Sequence, residues 1–462
     1  MLVIATPLIL STGAWSVQHF VDRMFLSWYS PEALAASMPS GILFFSLMSL
    51  FIGTASYVST FVAQYYGAER YHRIGPALWQ GVYVSLLGGC ALLCLVPAAE
   101  PIFTLVGHDP GVQHHEVAYF QILCFGGFPV IASAAISGFF AGRGRPWPVM
   151  WANTGATAVN LVLDYALIFG RWGFPELGIK GAAIATVLAG VFSLLVYLSL
   201  ISAKAHNLTY HTLRGWRPEK ELLLRLVRFG FPSGVQFFLE MAGFTVFILL
   251  VGRLGTTSLA ATNIAFNIST LAFMPMIGCG IAISVLVGQY LGRNRPDLAQ
   301  MSVYSGFHIT FAYMASIAAA YVLIPHMFVV PFAVRADPEG FREIYRLSVI
   351  LLRFIAVYSV FDTMNIIFAS GIKGAGDTRF VMFIIVITSS LVLVIPTYVA
   401  IVILDLGLMV SWLLFTAYII IIGFVFLFRF LGGKWKTMRV IEGPLAALPP
   451  GCSECPDAKF KP

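Results

Sequence analysis

Charge is what this sequence has least of. Acidic and basic residues together make up 11% of its 462 positions, whereas a soluble domain carries about 25%, so a globular fold solvated by water on all sides is excluded. Enzymatic signatures are missing too. There is no HExxH, no GxSxG and no P-loop, and the connections between apolar runs are mostly too short to hold a catalytic constellation. Cysteine is sparse, at six residues. Cys90, Cys94, Cys124 and Cys279 fall in apolar runs, where a small buried hydrophobe is the expected role. Cys452 and Cys455 form a CxxC near the end, without the second pair or the histidines that a zinc site needs. His114 and His115, beside the Gly107–Pro110 turn, read as a solvated loop feature rather than a ligand set.

What is abundant is apolar: 59% of residues are hydrophobic and the mean hydropathy is +0.86. An α-helix needs about 20 apolar residues to cross a bilayer, and twelve runs of that order can be marked out. They extend over Leu2–Trp28, Met38–Tyr66, Ile74–Pro97, Val117–Ala141, Pro148–Phe169, Gly178–Ala203, Leu222–Val251, Thr262–Leu291, Leu298–Pro325, Ile344–Ile372, Phe380–Leu404 and Gly407–Leu431. A barrel would show short alternating strands instead, so the fold class is all-α and polytopic. The first run exceeds a signal-peptide core and carries Gln18, His19, Asp22 and Arg23 in its second half, which makes it a spanning helix.

Basic residues fix the expected orientation. They gather after the even-numbered helices: Arg70 and Arg73, Arg143 and Arg145, Lys204 through Arg228, Arg293 and Arg295, Lys373 and Arg379, and Lys434, Lys436 and Arg439. The positive-inside rule then places both termini and the central basic connection in the cytoplasm, in a multi-pass cytoplasmic (inner) membrane protein. The net charge of +7 follows from topology. It calls for no nucleic-acid partner, only for anionic membrane lipid.

The chain repeats itself. A shift of 225 residues pairs Pro7 with Pro232, Leu34-Ala35-Ala36 with Leu259-Ala260-Ala261, Gly53 with Gly278, Ser59 with Ser284, Gln64-Tyr65 with Gln289-Tyr290, Gly67 with Gly292 and Arg70 with Arg295. A shift of 232 pairs Gly142 and Gly144 with Gly374 and Gly376, and Val149-Met150 with Val381-Met382. Six helices per copy make the repeats parallel, related by an axis along the membrane normal. The expected organisation is an N-lobe at 1–203, a cytoplasmic linker at 204–228, a C-lobe at 229–433 and a disordered tail at 434–462.

A charge at bilayer depth costs about 2.5–3.5 kcal/mol on insertion scales and is retained with partners or a task. Asp22 has His19 three residues earlier. Asn160 and Asp164 stand four apart, as do Gln236 and Glu240, and Asp362 has Tyr358 four before and Asn365 three after. These spacings put each acid on one helical face with a polar neighbour. Buried carboxyls can load and release a proton or supply oxygen ligands to a small cation; bonding to a neighbouring helix is the plainer alternative. Glu100 and Asp405 sit at helix ends, and Arg23 and Arg353 are placed to snorkel. Phe44, Phe45, Met48, Phe237, Phe238, Phe266, Phe273 and Met274 offer a yielding, cation-compatible lining, although packing is the commoner role for any one of them.

Nearly the whole chain resembles the multidrug and toxic compound extrusion (MATE) transporters, within a superfamily that also holds polysaccharide and lipid flippases. The resemblance rests on Val21-Asp22 followed by Leu34-Ala35-Ala36, Gly138 through Gly144, Asn160 through Asp164 to Gly170, Gly178 through Thr186, Phe231-Pro232 leading to Glu240, and Gly371 through Thr378. It implies that Asp22, Asn160, Asp164 and Thr186 form an N-lobe ion-coupling site. It implies that Glu240 and Asp362, with Gln236 and Tyr358 as neighbours, serve ion coupling or substrate in the C-lobe, and that Pro7 marks a bend in the first helix. The activity implied is antiport of organic cations against H⁺ or Na⁺, without a cofactor, without a metal beyond a Na⁺ at those acids, and as a monomer. Arg23 departs from the family pattern, which has a small or polar residue after Val-Asp. The runner-up is a lipid or glycan flippase, which would line its cleft with cations for a pyrophosphate, whereas the intramembrane charges here are chiefly acidic. A channel would show conductance without a counter-ion gradient.

Overall fold

The computed structural model describes residues 1–106, 110–333 and 338–442. Among them every regular element is helical. The helices are α1 (Leu2–Tyr29), α2 (Pro31–Ala55), α3 (Val58–Gly67), α4 (Ile74–Leu93), α5 (Ala99–Val106), α6 (Pro110–Phe125), α7 (Gly127–Gly142), α8 (Trp147–Phe169), α9 (Ile179–Ile201) and α10 (Lys204–Tyr210) in the first half. The second half holds α11 (Lys220–Gly252), α12 (Thr256–Gly292), α13 (Pro296–Leu323), α14 (Pro325–Ala333), α15 (Pro338–Ala375), α16 (Thr378–Thr388), α17 (Ile395–Tyr398) and α18 (Gly407–Leu431). With α2–α3, α6–α7 and α16–α17 each taken as one crossing, and the short α5, α10 and α14 not counted as crossings, twelve crossings result, matching the twelve apolar runs.

Nine described helices are long and apolar enough to span on their own account, and the α6–α7 pair, bent by 44°, is a tenth. The remaining two, α1 and α8, fall short because they carry the intramembrane polar groups: Gln18 and Asp22 on one, Asn153, Asn160 and Asp164 on the other. Local chemistry explains several boundaries. Ser30 caps α2 by accepting from the backbone N–H of Glu32 (3.1 Å) and Ala33 (3.3 Å), with Pro31 in the first turn, where its missing N–H costs nothing. Gly170 ends α8 in the left-handed conformation. Pro396 withdraws one donor from the eleventh crossing, and wide π turns flank it at Ser389–Val394 and Val399–Ile403.

Two apolar cores result, one per half, and each borrows from the other. The first turns of α1 (Ala5, Leu8) pack into the core of the second half. The start of α11 (Leu222, Leu226) and the post-helical residues Val440 and Ile441 pack into that of the first. Helices approach closely where side chains are absent. A Cβ on Gly53 of α2 would lie 2.7 Å from the Gly234 Cα of α11, so backbones touch across the two halves as small residues allow in membranes.

Several expectations need correction. The connection at 204–228 is not a loop throughout: Lys204–Tyr210 is α10 and residues from Lys220 belong to α11, because Leu222 and Leu226, four apart, bury one face of a helix. Residues 434–442 are not a free tail. Trp435 is buried, stacks on Phe430 at 4.8 Å and donates to its carbonyl at 2.8 Å, while the Val440 N–H donates to Gln64 Oε1 at 2.8 Å. The rest of the tail, with Cys452 and Cys455, lies outside the described residues, as does the turn at 107–109. His114 and His115 stand within α6 rather than in a loop. Cys124 and Cys279 are buried, but Cys90 and Cys94 are exposed on the outer surface of α4; an apolar run in lipid has an outward face that needs no burial.

Candidate functional site

In the first half, α1 and α8 lie side by side and turn their polar stripes toward each other. Asp22 is buried, and Asn160 and Asp164 are wholly so. Hydrogen-bond partners fix the Asn160 amide with its nitrogen toward the acids, where it donates to Asp22 Oδ1 at 2.9 Å and Asp164 Oδ2 at 3.2 Å and sits 3.3 Å from the Gln18 amide. The two carboxyls are within hydrogen-bonding reach of each other, and Asp164 Oδ1 is buried without a partner. No basic side chain makes an ion pair with either acid among the described residues; the adjacent Arg23 points outward and is exposed. Two carboxyls in contact cannot both carry a charge cheaply. Such a site must hold a proton or another cation to be stable.

Sequence spacing mistook the partner of Asp22. His19 is exposed, its ring edge against Trp15 at 4.5 Å, while Gln18, four residues before Asp22, lies nearer the buried stripe and completes the cluster. Tyr119 of α6, buried and within electrostatic reach of both acids, is a further member that no local pattern announced. Thr186 is half-buried on α9 and makes no hydrogen bond to Asp22, Asn160 or Asp164 among the described residues. Pro7 is buried inside an α1 that runs on through it.

In the second half, Gln236 donates to Glu240 Oε1 at 3.0 Å on α11, and Asn365 donates to Asp362 Oδ1 at 2.9 Å on α15. These are two separate pairs rather than one network, although Glu240 and Asp362 are near enough to feel each other's charge. The Tyr358 hydroxyl turns to Ser269 while remaining in the field of Asp362, and Tyr418 of α18 faces both acids. Lys373, which the sequence assigns to a basic connection, is half-buried in the last turn of α15 and interacts electrostatically with Glu240. Helical side chains lean toward the N-terminus, which carries the ammonium back into the membrane.

Of the apolar candidates, Phe44, Met48 and Phe266 are core residues; Phe266 stacks on Trp412 at 4.9 Å. Phe45 meets Trp15 of α1 at 5.5 Å and Phe237 of α11 at 5.8 Å, so an aromatic series bridges the halves midway along the helices.

The halves also close on each other at the end that carries the arginine-rich connections. Gln64 Nε2 donates to the Gly374 carbonyl at 3.1 Å, and Gln289 Nε2 to the Gly142 carbonyl at 2.8 Å. A Cβ on Gly67 would collide with the Gln289 carbonyl, and one on Gly292 with that of Gln64. Tyr57 donates to the Lys373 carbonyl at 2.7 Å. Glu442 closes the same end: Tyr65 donates to its Oε2 at 2.8 Å, and Arg225 Nη1 lies 2.9 Å and Arg73 Nη2 3.6 Å from its Oε1.

Two duplicated six-helix halves, joined at one end and each carrying buried carboxyl groups within the membrane, define a polytopic membrane transporter, not an enzyme. The chain belongs to the MatE family, whose model matches residues 7–166 and 232–399, two stretches that begin at the paired prolines. It is 28% identical over 380 residues to the multidrug resistance protein NorM of Burkholderia vietnamiensis, covering 82% of each chain. To a probable multidrug resistance protein NorM of Thermotoga maritima it is 25% identical over 426 residues, covering 91% of this chain and 89% of that one. Among solved structures it superposes on a MOP superfamily transporter from Pyrococcus furiosus with a TM-score of 0.85 at 20% identity, covering 95% of this chain and 96% of that one. An outward-facing multidrug resistance MATE family transporter gives a TM-score of 0.86 at 20% identity and the same coverage.

Proposed function

We propose that this protein is a secondary active antiporter that exports organic cations across the cytoplasmic membrane in exchange for H⁺ or Na⁺, working as a monomer with its basic end in the cytoplasm. The observation that carries the reading is the Asp22–Asn160–Asp164 cluster. Two buried carboxyls share one amide donor, make no ion pair with a basic side chain among the described residues, feel the charge of the exposed Arg23 beside Asp22, and leave one oxygen without a partner. Such a site is stable only when loaded, and loading from one side and unloading to the other couples an ion gradient to a conformational change, provided the two states differ in affinity. Glu240 and Asp362 supply negative charge for a cationic substrate, with Lys373 as a resident cation that the substrate displaces from Glu240. Relatives named for multidrug resistance support the substrate class.

Alternating access then requires the basic end to part. The reciprocal Gln64–Gly374 and Gln289–Gly142 bonds and the Glu442 cluster are the contacts that break when it does.

The test is efflux of a fluorescent organic cation from proteoliposomes under an imposed Na⁺ gradient or an imposed pH gradient, in wild type, Asp22→Asn and Glu240→Gln. Transport driven by one gradient and lost in Asp22→Asn is expected, and it names the ion. Absence of gradient-driven efflux for every cation tried would overturn the reading in favour of a flippase for lipid-linked anionic cargo, and conductance persisting without a gradient would make the protein a channel.

A further inference from the structure

The basic end of the first half holds two cations that no acid answers among the described residues. Arg143, 6% exposed, is wedged with its guanidinium over the rings of Phe139 (3.8 Å), Phe140 (5.3 Å) and Tyr210 (4.7 Å), and its Nε donates to the Phe139 carbonyl at 3.1 Å. Neither Arg143 nor the exposed Arg145 makes an ion pair among the described residues. The internal repeat shows what is missing. At the 232-residue shift Asp377 falls opposite Arg145, and in the second half Asp377 takes Arg429 through hydrogen bonds of 2.8 and 2.6 Å. The same corner is thus neutralised from within in one half and doubly basic in the other.

This corner is also hollow. A cavity of about 380 Å³ is lined by Arg143, Arg145, His206, Trp147 and Val3, with no acid among its lining. The Leu200 carbonyl can only accept, so His206 donates to it through Nδ1 (3.0 Å), and the neutral ring walls the cavity with Nε2 as an acceptor. Past Trp147 and Pro148, which line both, a second hollow of about 370 Å³ continues along α8 and α9 between Trp151, Gly155, Phe192, Val196 and Leu200, and it is almost wholly apolar. Trp147 and Trp151 are 48% and 66% exposed, as tryptophans are at a membrane interface.

We propose that this pair of cavities is a specific site for one anionic phospholipid of the leaflet at the basic end. The phosphate lies against Arg143 and Arg145, beside the His206 ring, and an acyl chain runs down the groove between α8 and α9. Planar guanidinium groups match phosphate oxygens in pairs, basic pockets between transmembrane helices take up anionic headgroups, and the stacked aromatic rings hold Arg143 in place before the ligand arrives. The site touches α8, the helix that bears Asn160 and Asp164, but its existence does not depend on what the protein transports.

The test uses the purified, delipidated full chain, titrated with dioleoyl phosphatidylglycerol, dioleoyl phosphatidylcholine, dihexanoyl phosphatidylglycerol or inorganic phosphate and read by native mass spectrometry. One phosphatidylglycerol should be retained in preference to phosphatidylcholine. Arg145→Gln should weaken that retention about fivefold, the effect of one basic residue at an anionic surface, while Arg171→Gln, at the opposite end, keeps it. Trp151→Ala should weaken the dioleoyl but not the dihexanoyl lipid. Equal retention of both headgroups, or unchanged retention in an Arg145→Gln protein that melts like wild type, would overturn the proposal. Displacement of the lipid by millimolar phosphate alone would overturn it too, making the site one for a free anion.

Discussion

Gln64 and Gln289 are equivalents under the internal repeat, and each donates its side-chain amide to the carbonyl of the other half's equivalent glycine, Gly374 at 3.1 Å and Gly142 at 2.8 Å. The reciprocity extends to their backbones, since Gly67 packs on the Gln289 carbonyl and Gly292 on that of Gln64. One molecule therefore holds the same contact twice, across a pseudo-twofold axis.

Removing either glutamine should loosen the closed basic end, Gln64 the more, because it also accepts from the Val440 N–H at 2.8 Å. A buried carbonyl left without its donor costs about 1–3 kcal/mol, so Gln64→Ala and Gln289→Ala should each raise the open population by at least about fivefold. Spin-label distances between residues on the basic ends of α3 and α12 would report it. A larger effect of Gln289→Ala than of Gln64→Ala would show that the two glycine contacts are not equivalent.

Close approach of α2 and α11 depends on the absence of a side chain. A Cβ on Gly53 meets the Gly234 Cα at 2.7 Å and the Ser233 carbonyl at 2.9 Å. Both are backbone and cannot rotate away, so Gly53→Leu should lower stability by about 1–3 kcal/mol, the usual cost of overpacking, or spread the halves. Gly13→Ala, at a position with nothing within 4 Å of the added Cβ, is the control, and thermal melting in detergent separates the two.

Among the described residues Asn160 is the one side chain whose amide bonds both N-lobe acids. Asn160→Leu keeps the volume and removes the donor, and should cut gradient-driven transport at least about tenfold, because one hydrogen bond to a charged group contributes about 1.5–3 kcal/mol. Transport at the wild-type rate, in a variant that melts like wild type, would mean that the two acids work without it.

Glu442 ties residues 438–442 to the first half. Burial pushes its carboxyl up, but its own backbone N–H, the Tyr65 hydroxyl and the charges of Arg225 and Arg73 outweigh burial and hold it below the ordinary value of 4.5. A depressed folded value means that the contribution is complete above the unfolded value and is lost as the pH falls through the folded one. Hydrogen exchange at the Val440 amide, which bonds Gln64 Oε1, should therefore stay protected down to about pH 4.5 and lose protection below it. Glu442→Gln should show reduced protection at all pH values. Protection that ignores both acid and substitution would show that the apolar contacts of Val440 and Ile441 alone hold the segment.

The crossings, the duplication and the acids inside the membrane were legible in the sequence because each leaves a local mark: an apolar run of bilayer length, a repeat at constant shift, a carboxyl where lipid should be. Spacing on one helix also announced the Gln236–Glu240, Asn365–Asp362 and Asn160–Asp164 pairs. Tyr119, Tyr418 and Lys373 were not legible as neighbours of those acids, since they reach them from another helix or from a helix end. The join of Asp22 to Asn160 and Asp164 likewise depends on α1 lying against α8. Residues 434–442 read as part of a disordered tail because one buried tryptophan and one glutamate carry no periodic signal.

Composition and periodicity alone thus determined that this chain is a duplicated bundle of membrane helices with carboxyl groups in its interior, since the bilayer penalises any other backbone and any idle charge. Only the tertiary structure decided which carboxyls meet, that the two halves are latched at the basic end by paired glutamines, and that Arg143 and Arg145 make no ion pair among the described residues. Those outcomes depend on which faces of separate helices come within hydrogen-bonding distance, about 3 Å, and no local pattern in a sequence encodes that.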